Sequence, residues 1–226
     1  MSVTSLTEST QNYLKTIWSL NEWSDEPVTA SAISAATGLR LSSVSDAVRK
    51  LTNQGFLKHT PYGAVDLTEQ GRQHAVAMVR RHRLLETFLV ETLGYTWDQV
   101  HDEAEVLEHS VSDFMIERVA ELLGHPERDP HGDPIPSADG TVKSPSATRL
   151  TDVRPGQSVQ VERISDSDPQ LLQYFSAQGL AVGTKLNTSA GAPFSGALDV
   201  SVDGDGASLS LGREATDAIF VSEDFS

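Results

Sequence analysis

Six residues have the types and spacing to hold a divalent cation: His82, Glu86, His101, Glu105, Glu108 and His109. His82 and Glu86 stand at i and i+4, so a helix presents them on one face. At ~100° per residue, His101, Glu105, Glu108 and His109 fall within an arc of roughly a quarter turn. That arc borders an apolar row, Val100, Ala104, Leu107, Val111 and Phe114, spaced 4, 3, 4, 3. Imidazoles and carboxylates beside a packed seam are costly unless a cation compensates their charge. A single His–Glu pair is commonly only a surface pair; six such residues on two adjacent helices point to metal. The donors are oxygen and imidazole nitrogen, and the chain has no cysteine. Ligand softness then favours manganese or iron(II), while zinc, cobalt or nickel can bind as tightly in vitro. Asp102 and Glu103 read as solvated acids. His59, His74, His125 and His131 stand in polar contexts and read as bystanders.

These donors need elements to position them. Residues 5–22 read as a helix with Leu14, Ile17 and Trp18 on one face. Thr29 caps a short helix that Gly38 ends. A third helix spans about 42–54, with Val44, Ala47, Val48 and Leu51 inward and Ser43, Ser45, Asp46, Arg49 and Lys50 outward. Two short apolar runs flank Pro61-Tyr62-Gly63 as a hairpin. Helix, helix, glycine turn, helix and hairpin spell a winged helix-turn-helix. Thr68 caps a long helix to about Leu93, and one further helix is expected over 97–123. If these two pack antiparallel, their ligands converge. Residues 124–145 are rich in Pro, Gly and Asp and read as a linker or a surface segment. Short alternating runs over 150–226 with a helix near 168–179 suggest a small β-barrel.

Charge narrows the partner. Formal net charge is −15, but residues 1–95 hold 9 Lys/Arg and 9 Asp/Glu, whereas 96–226 hold 8 and 23. Phosphate contact is therefore confined to a local patch around Arg40, Arg49, Lys50 and Lys58. Without cysteine, disulfides and thiol catalysis are excluded. With no apolar run long enough for a bilayer and no signal-peptide pattern, a cytoplasmic protein without membrane contact is expected.

The segments TQNYLKTIW, TGLRLSSVSDAVRKLTNQGFL, MVRRHRLLETFLVETLGYTWDQVHDEAEVLEHSVSD, DPHGDPIP and APFSGALDVSV carry a resemblance over essentially the whole chain. It resembles the diphtheria-toxin-repressor family of iron- and manganese-dependent repressors, manganese-responsive branch. The resemblance implies a mostly α fold with small β parts. Residues 1–73 would form the winged helix-turn-helix, 74–145 the helical metal-binding and dimerisation domain (with a Pro-rich linker from about 124), and 146–226 an SH3-like, FeoA-like barrel domain.

The resemblance implies two metal sites per subunit. One would use His82, Glu86 and His101, with Asp168 as a fourth ligand. The other would use Glu105, Glu108 and His109 plus a first-helix residue, Asn12 or, one turn earlier, Glu8. The iron branch has cysteine where Glu105 stands, and a harder oxygen there favours manganese. Asn12 stands where iron sensors have methionine and manganese sensors usually aspartate; its amide oxygen can ligate but brings no charge. Leu171 stands where the iron branch has a polar ligand.

The expected function is a manganese-activated repressor of metal-uptake genes, a homodimer on double-stranded operator DNA, with no catalytic role and no organic ligand. Metal would shift a loose apo ensemble toward one spacing of the two recognition helices. Arg40, Ser42, Ser43, Ser45, Arg49 and Lys50 would contact groove and phosphates, with Lys58 and Tyr62 on the wing. Alternatives are an iron(II)-responsive repressor, a metal-independent winged-helix regulator, and a helical di-metal enzyme. The last would want Glu-x-x-His on two helices, and Glu105 is followed three residues on by Glu108.

Overall fold

A computed structural model describes residues 6–24, 26–59, 63–202 and 208–223; the wing residue Tyr62 lies outside them. The chain forms two compact units. The first comprises Met1–Leu85, Glu105–Leu122 and Pro136–Val142, and the second Glu86–Ala104, Leu123–Ile135 and Lys143–Ser226.

In the first unit, α1 (Glu8–Glu22), α2 (Ala30–Thr37) and α3 (Leu41–Asn53) precede the hairpin β1 (Leu57–His59) and β2 (Val65–Leu67). Leu14, Ile17, Ile33, Val44, Val48, Leu51 and Val65 are buried together. Burying each such side chain contributes about 1.5–3 kcal/mol before conformational entropy is subtracted. Thr29 Oγ1 accepts from the Ala32 amide, and Gly38 ends α2 at φ 68°, where a side chain would be strained. The expected winged helix-turn-helix elements are all present, with α3 presenting Ser42, Ser43, Ser45, Arg49 and Lys50 to solvent.

The long helix α4 (Glu69–Leu93) begins where Thr68 Oγ1 accepts from the Gly71 amide. The expected single helix over 97–123 is in fact two, α5 (Val100–Leu107) and α6 (Asp113–Leu122). The break has a tertiary cause. Arg81 donates to the backbone carbonyls of Glu108 and Val111 at 3.0 and 2.8 Å, satisfying groups that a continuing helix would have bonded itself. Ser112 Oγ then accepts from the Met115 amide and starts α6.

The second unit is built on a six-stranded antiparallel sheet in the order β3-β8-β4-β5-β6-β7. The strands are β3 (Thr148–Arg149), β4 (Ser158–Ile164), β5 (Lys185–Ala190), β6 (Leu198–Val202), β7 (Ser208–Leu211) and β8 (Ile219–Ser222). Two helices accompany them, α7 (Pro169–Ala177) and α8 (Arg213–Ala218), where one was expected. Val159, Val161, Ile164, Leu172, Phe175, Leu186, Val200 and Val221 form its core.

The register of β4 against β8 shifts between Val161 and Arg163, a bulge at Glu162. The Glu162 carbonyl accepts from Arg128, and a Cβ on Gly132 (φ 93°) would sit 2.1 Å from it. Only glycine fits that approach. The expected linker is therefore corrected in part. Asp129, His131, Asp133 and Ile135 are buried, because the bulge and Arg163, which binds Asp133 at 2.7 Å, hold this loop down.

Candidate metal centres

The first unit gathers one cluster. α4 supplies His82, α5 supplies Glu105, the turn after it supplies Glu108 and His109, and α1 supplies Gln11, Asn12 and Lys15. Glu108 is fully buried; one carboxylate oxygen lies 2.6 Å from His82 Nδ1, the other 2.6 Å from Lys15 Nζ. Lys15 Nζ also donates to Glu105 Oε1 at 2.5 Å. The ammonium thus occupies the focus of a set in which His82, Glu105 and Glu108 each offer a ligand atom, all within 4.8 Å of one another. Burial pushes the Glu108 carboxyl up, but the His82 hydrogen bond and the Lys15 charge outweigh it and hold it below the usual value.

Two unpaired atoms complete this cluster. Gln11 Oε1 can only accept, so at 2.7 Å it takes the Nδ1 proton of His109. His109 Nε2 is buried, without a hydrogen-bond partner and 3.5 Å from Glu108 Oε1. Asn12 Oδ1 is likewise buried without a hydrogen-bond partner. Asn12, Lys15, Glu105 and the exposed Glu8 line one open cleft. An ammonium focus ringed by carboxylates, with unspent imidazole and amide donors at its edge, suits a divalent cation.

The second unit gathers another cluster. His101 Nδ1 lies 2.8 Å from Asp166 Oδ2 and 3.5 Å from Glu86 Oε1, and Glu86 is 1% exposed. The Asp166 hydrogen bond, joined by Glu86, raises the His101 pKa to about 11. Burial pushes the Asp166 carboxyl up, yet the His101 hydrogen bond and charge, with His131 and Arg163 behind, hold it far below the usual range. Glu86, His101 and Asp166 offer ligand atoms within 4.8 Å of one another.

The expected partner from the C-terminal segment was Asp168. Its Oδ1 instead accepts from the Gln170 and Leu171 amides, capping α7. Asp166, two residues past the end of β4, reaches His101 instead. An Asp-Pro pair at a helix start signals a cap, which was the available hint against Asp168. Lys15, Gln11 and Asp166 were missed. Lysine and glutamine do not advertise themselves as metal-site residues, and nothing local separates Asp166 from its acidic neighbours.

On α3 the exposed pair Arg49–Asp46 is 2.8 Å long, and Ser45 Oγ donates to the Leu41 carbonyl. Arg40, at the start of α3, and Lys58, on β1, are exposed.

Comparison with known proteins agrees with this layout. Residues 5–65 match the family "Iron dependent repressor, N-terminal DNA binding domain", residues 68–137 "Iron dependent repressor, metal binding and dimerisation domain", and residues 148–223 "FeoA domain". The chain is 31% identical to a diphtheria toxin repressor of Corynebacterium efficiens over 80% of this chain and 83% of that one. It is 34% identical to an iron-dependent repressor of Mycobacterium leprae over 69% and 70%. Among solved structures, a manganese-dependent transcriptional repressor in complex with manganese is 50% identical, with a TM-score of 0.91, over 95% of this chain and 100% of that chain. A structure of ScaR with bound zinc is 30% identical, with a TM-score of 0.80, over 95% and 99%.

Proposed function

Since the chain belongs to the diphtheria-toxin-repressor family of metal-dependent transcriptional repressors, we propose that it responds chiefly to manganese(II) and, as a homodimer on operator DNA, controls metal-uptake genes. Members of this family are repressors, not enzymes, so the di-metal enzyme alternative falls away. The proposal divides the chain near residues 73 and 145 into reading, metal-binding and SH3-like segments.

One observation carries the reading: the acidic cluster of the first unit is tied directly to the helix that opens the DNA-binding segment. Lys15 and Gln11 of α1 bind Glu105, Glu108 and His109. A bound divalent cation would supply positive charge and directional coordination at those donors. Glu105, Glu108, His109 and Asn12 would hold it, with Glu8 within the same cleft; Glu86, His101 and Asp166 would form the second site. Asn12 then couples the orientation of α1, and through the shared core that of α3, to the state of the cluster.

Several features support manganese. Every donor is oxygen or imidazole nitrogen, with Glu105 supplying a hard oxygen, and the relative at 50% identity is a manganese-dependent repressor. Iron(II) is the second reading, favoured by relatives described as iron-dependent. Zinc, cobalt and nickel are expected to bind in vitro. Val106 on α5 and Phe114 and Leu122 on α6 are 69, 77 and 66% exposed, large apolar side chains whose exposure supports a subunit seam. Among the described residues no helix is long and apolar enough to cross a membrane. Ser42, Ser43, Ser45 and Arg49 are proposed for the groove, and Arg40, Lys50, Lys58 and Tyr62 for the backbone.

The test is operator binding in chelator-treated buffer with manganese(II), iron(II), zinc and cobalt added separately. Manganese is expected to restore binding and Glu105→Ala to abolish that response in a folded protein. Full operator affinity in chelator, or a normal metal response from Glu105→Ala, would overturn the reading.

A further inference from the structure

One charge on α3 is out of place. In the function proposed above this helix faces the operator, whose phosphates are all negative. Its sequence, LSSVSDAVRKLTN, nevertheless holds one acid, Asp46. Val44, Val48 and Leu51 fix the inward side of the helix. At ~100° per residue, Asp46 points within about 15° of the direction opposite the middle of that row. Ser42, Arg49 and Asn53 share its outward face, at i−4, i+3 and i+7, and all are exposed. Asp46 therefore stands at the crest of the helix and not on a flank. Its side chain is 71% exposed, so core packing does not account for it.

Arg49 donates to Asp46 Oδ1 at 2.8 Å. At such exposure the pair adds little stability. It does balance the carboxylate's charge, and it engages one oxygen, so the other can accept a bond from DNA. A carboxylate on a flank of a reading helix meets the phosphate row; one on the crest meets base edges. In the major groove only cytosine N4 and adenine N6 donate. Adenine sets its N7 acceptor beside N6, which repels a group that can only accept, whereas cytosine has no such neighbour on its own edge. We propose that Asp46 is a specificity-determining residue of the operator contact. Its second carboxylate oxygen accepts from the N4 amino group of a cytosine in each half-site, while Arg49 holds the first.

This inference rests on the repressor reading, and the test separates the two. The parent chain, Asp46→Ala and Asp46→Asn are each given manganese(II) and a random-sequence duplex library, and the retained duplexes are sequenced. The parent is expected to hold cytosine at one position of each half-site, with other bases there weaker by about tenfold. Asp46→Ala should flatten that position to within about twofold and leave the remaining positions unchanged. Asp46→Asn should move it from cytosine to adenine, since an amide both donates and accepts and so matches N7 and N6. Both variants should bind a duplex of unrelated sequence at least as tightly as the parent, because a repelling charge is gone. A merely structural aspartate would move no base preference. Circular dichroism checks that both variants fold. Unaltered preferences in a folded variant, or a weakening uniform across all sequences, would overturn the contact. If the parent selects its sites without manganese and Asp46→Ala still loses the cytosine, the metal reading fails and the contact stands. A parent that selects no sequence at all sinks both.

Discussion

The two acidic clusters solve the same electrostatic problem differently. Around Glu108 the neutralising charge is a lysine ammonium, 2.5 and 2.6 Å from two carboxylates. Around Glu86 the nearby cationic partner is an imidazole, His101 at 3.5 Å, which also meets Asp166 at 2.8 Å. A lysine keeps its charge through the neutral range, whereas a histidine exchanges charge for a proton. The first cluster must expel a side chain to accept a metal ion; the second must expel protons. The two should therefore differ in how binding depends on mutation and on pH.

The largest effect is expected where the resident charge loses its buried partner. Glu108→Ala leaves Lys15 with Glu105 as its remaining carboxylate and His82 without its buried acceptor, and the loss should reach about 2–3 kcal/mol in chemical unfolding of the metal-free protein. A loss below about 1 kcal/mol would mean that Lys15 finds solvent easily.

Next in size is Lys15→Met. It removes the competitor while keeping the buried stem, so manganese should bind the first cluster about tenfold more tightly, ~1.4 kcal/mol, by competition with a coloured chelator. The metal-free protein should lose stability as Glu105 and Glu108 repel each other. Weaker manganese binding in this variant would make the lysine a helper rather than a competitor.

A pH series separates the clusters further. The His101 pKa is raised above its unfolded value, to about 11, by Asp166 and Glu86. Its contribution is thus complete below about pH 6.5 and is lost progressively as pH rises towards the folded value. Thermal midpoints of the metal-free protein should fall between pH 7 and 9 by an amount that His101→Gln removes. Manganese affinity at this cluster should rise over the same range, by less than tenfold per unit because the His101 side chain is 38% exposed. A flat profile in the parent would show that the imidazole carries no linked proton.

The smallest structural effect is expected far from both clusters. Arg49→Ala breaks an ion pair whose partners are 75 and 71% exposed, so stability should move by less than about 0.5 kcal/mol. Operator affinity should nevertheless fall by about 1–3 kcal/mol if Arg49 reads a base, or the salt slope should drop by about one if it touches phosphate. An unchanged operator isotherm would remove it from the interface.

Local patterns made much of this protein legible. The caps at Thr29, Gly38 and Thr68, the apolar periods of α1 and α3, and the hairpin runs are short-range signals, and each element formed where its residues favour it. The candidate donors were visible as residue types, but the shared helix face reaches only His101 and Glu105 on α5, since Glu108 and His109 lie in the turn that follows it. What failed was non-local. Arg81 ends α5 by bonding carbonyls supplied from a distant stretch of chain, and the Glu162 bulge draws a polar, Pro-rich segment into burial. No window along the chain contains either partner.

The sequence by itself determined which residues can ligate and that no thiolate competes, since side-chain chemistry needs no fold. Only the tertiary structure decided that Lys15 sits among the carboxylates, that Asp166 and not Asp168 reaches His101, and that His131 is buried beside Glu86. Those facts depend on which desolvated groups the packed backbone forces together, and burial of charge is a property of the assembled interior rather than of any segment.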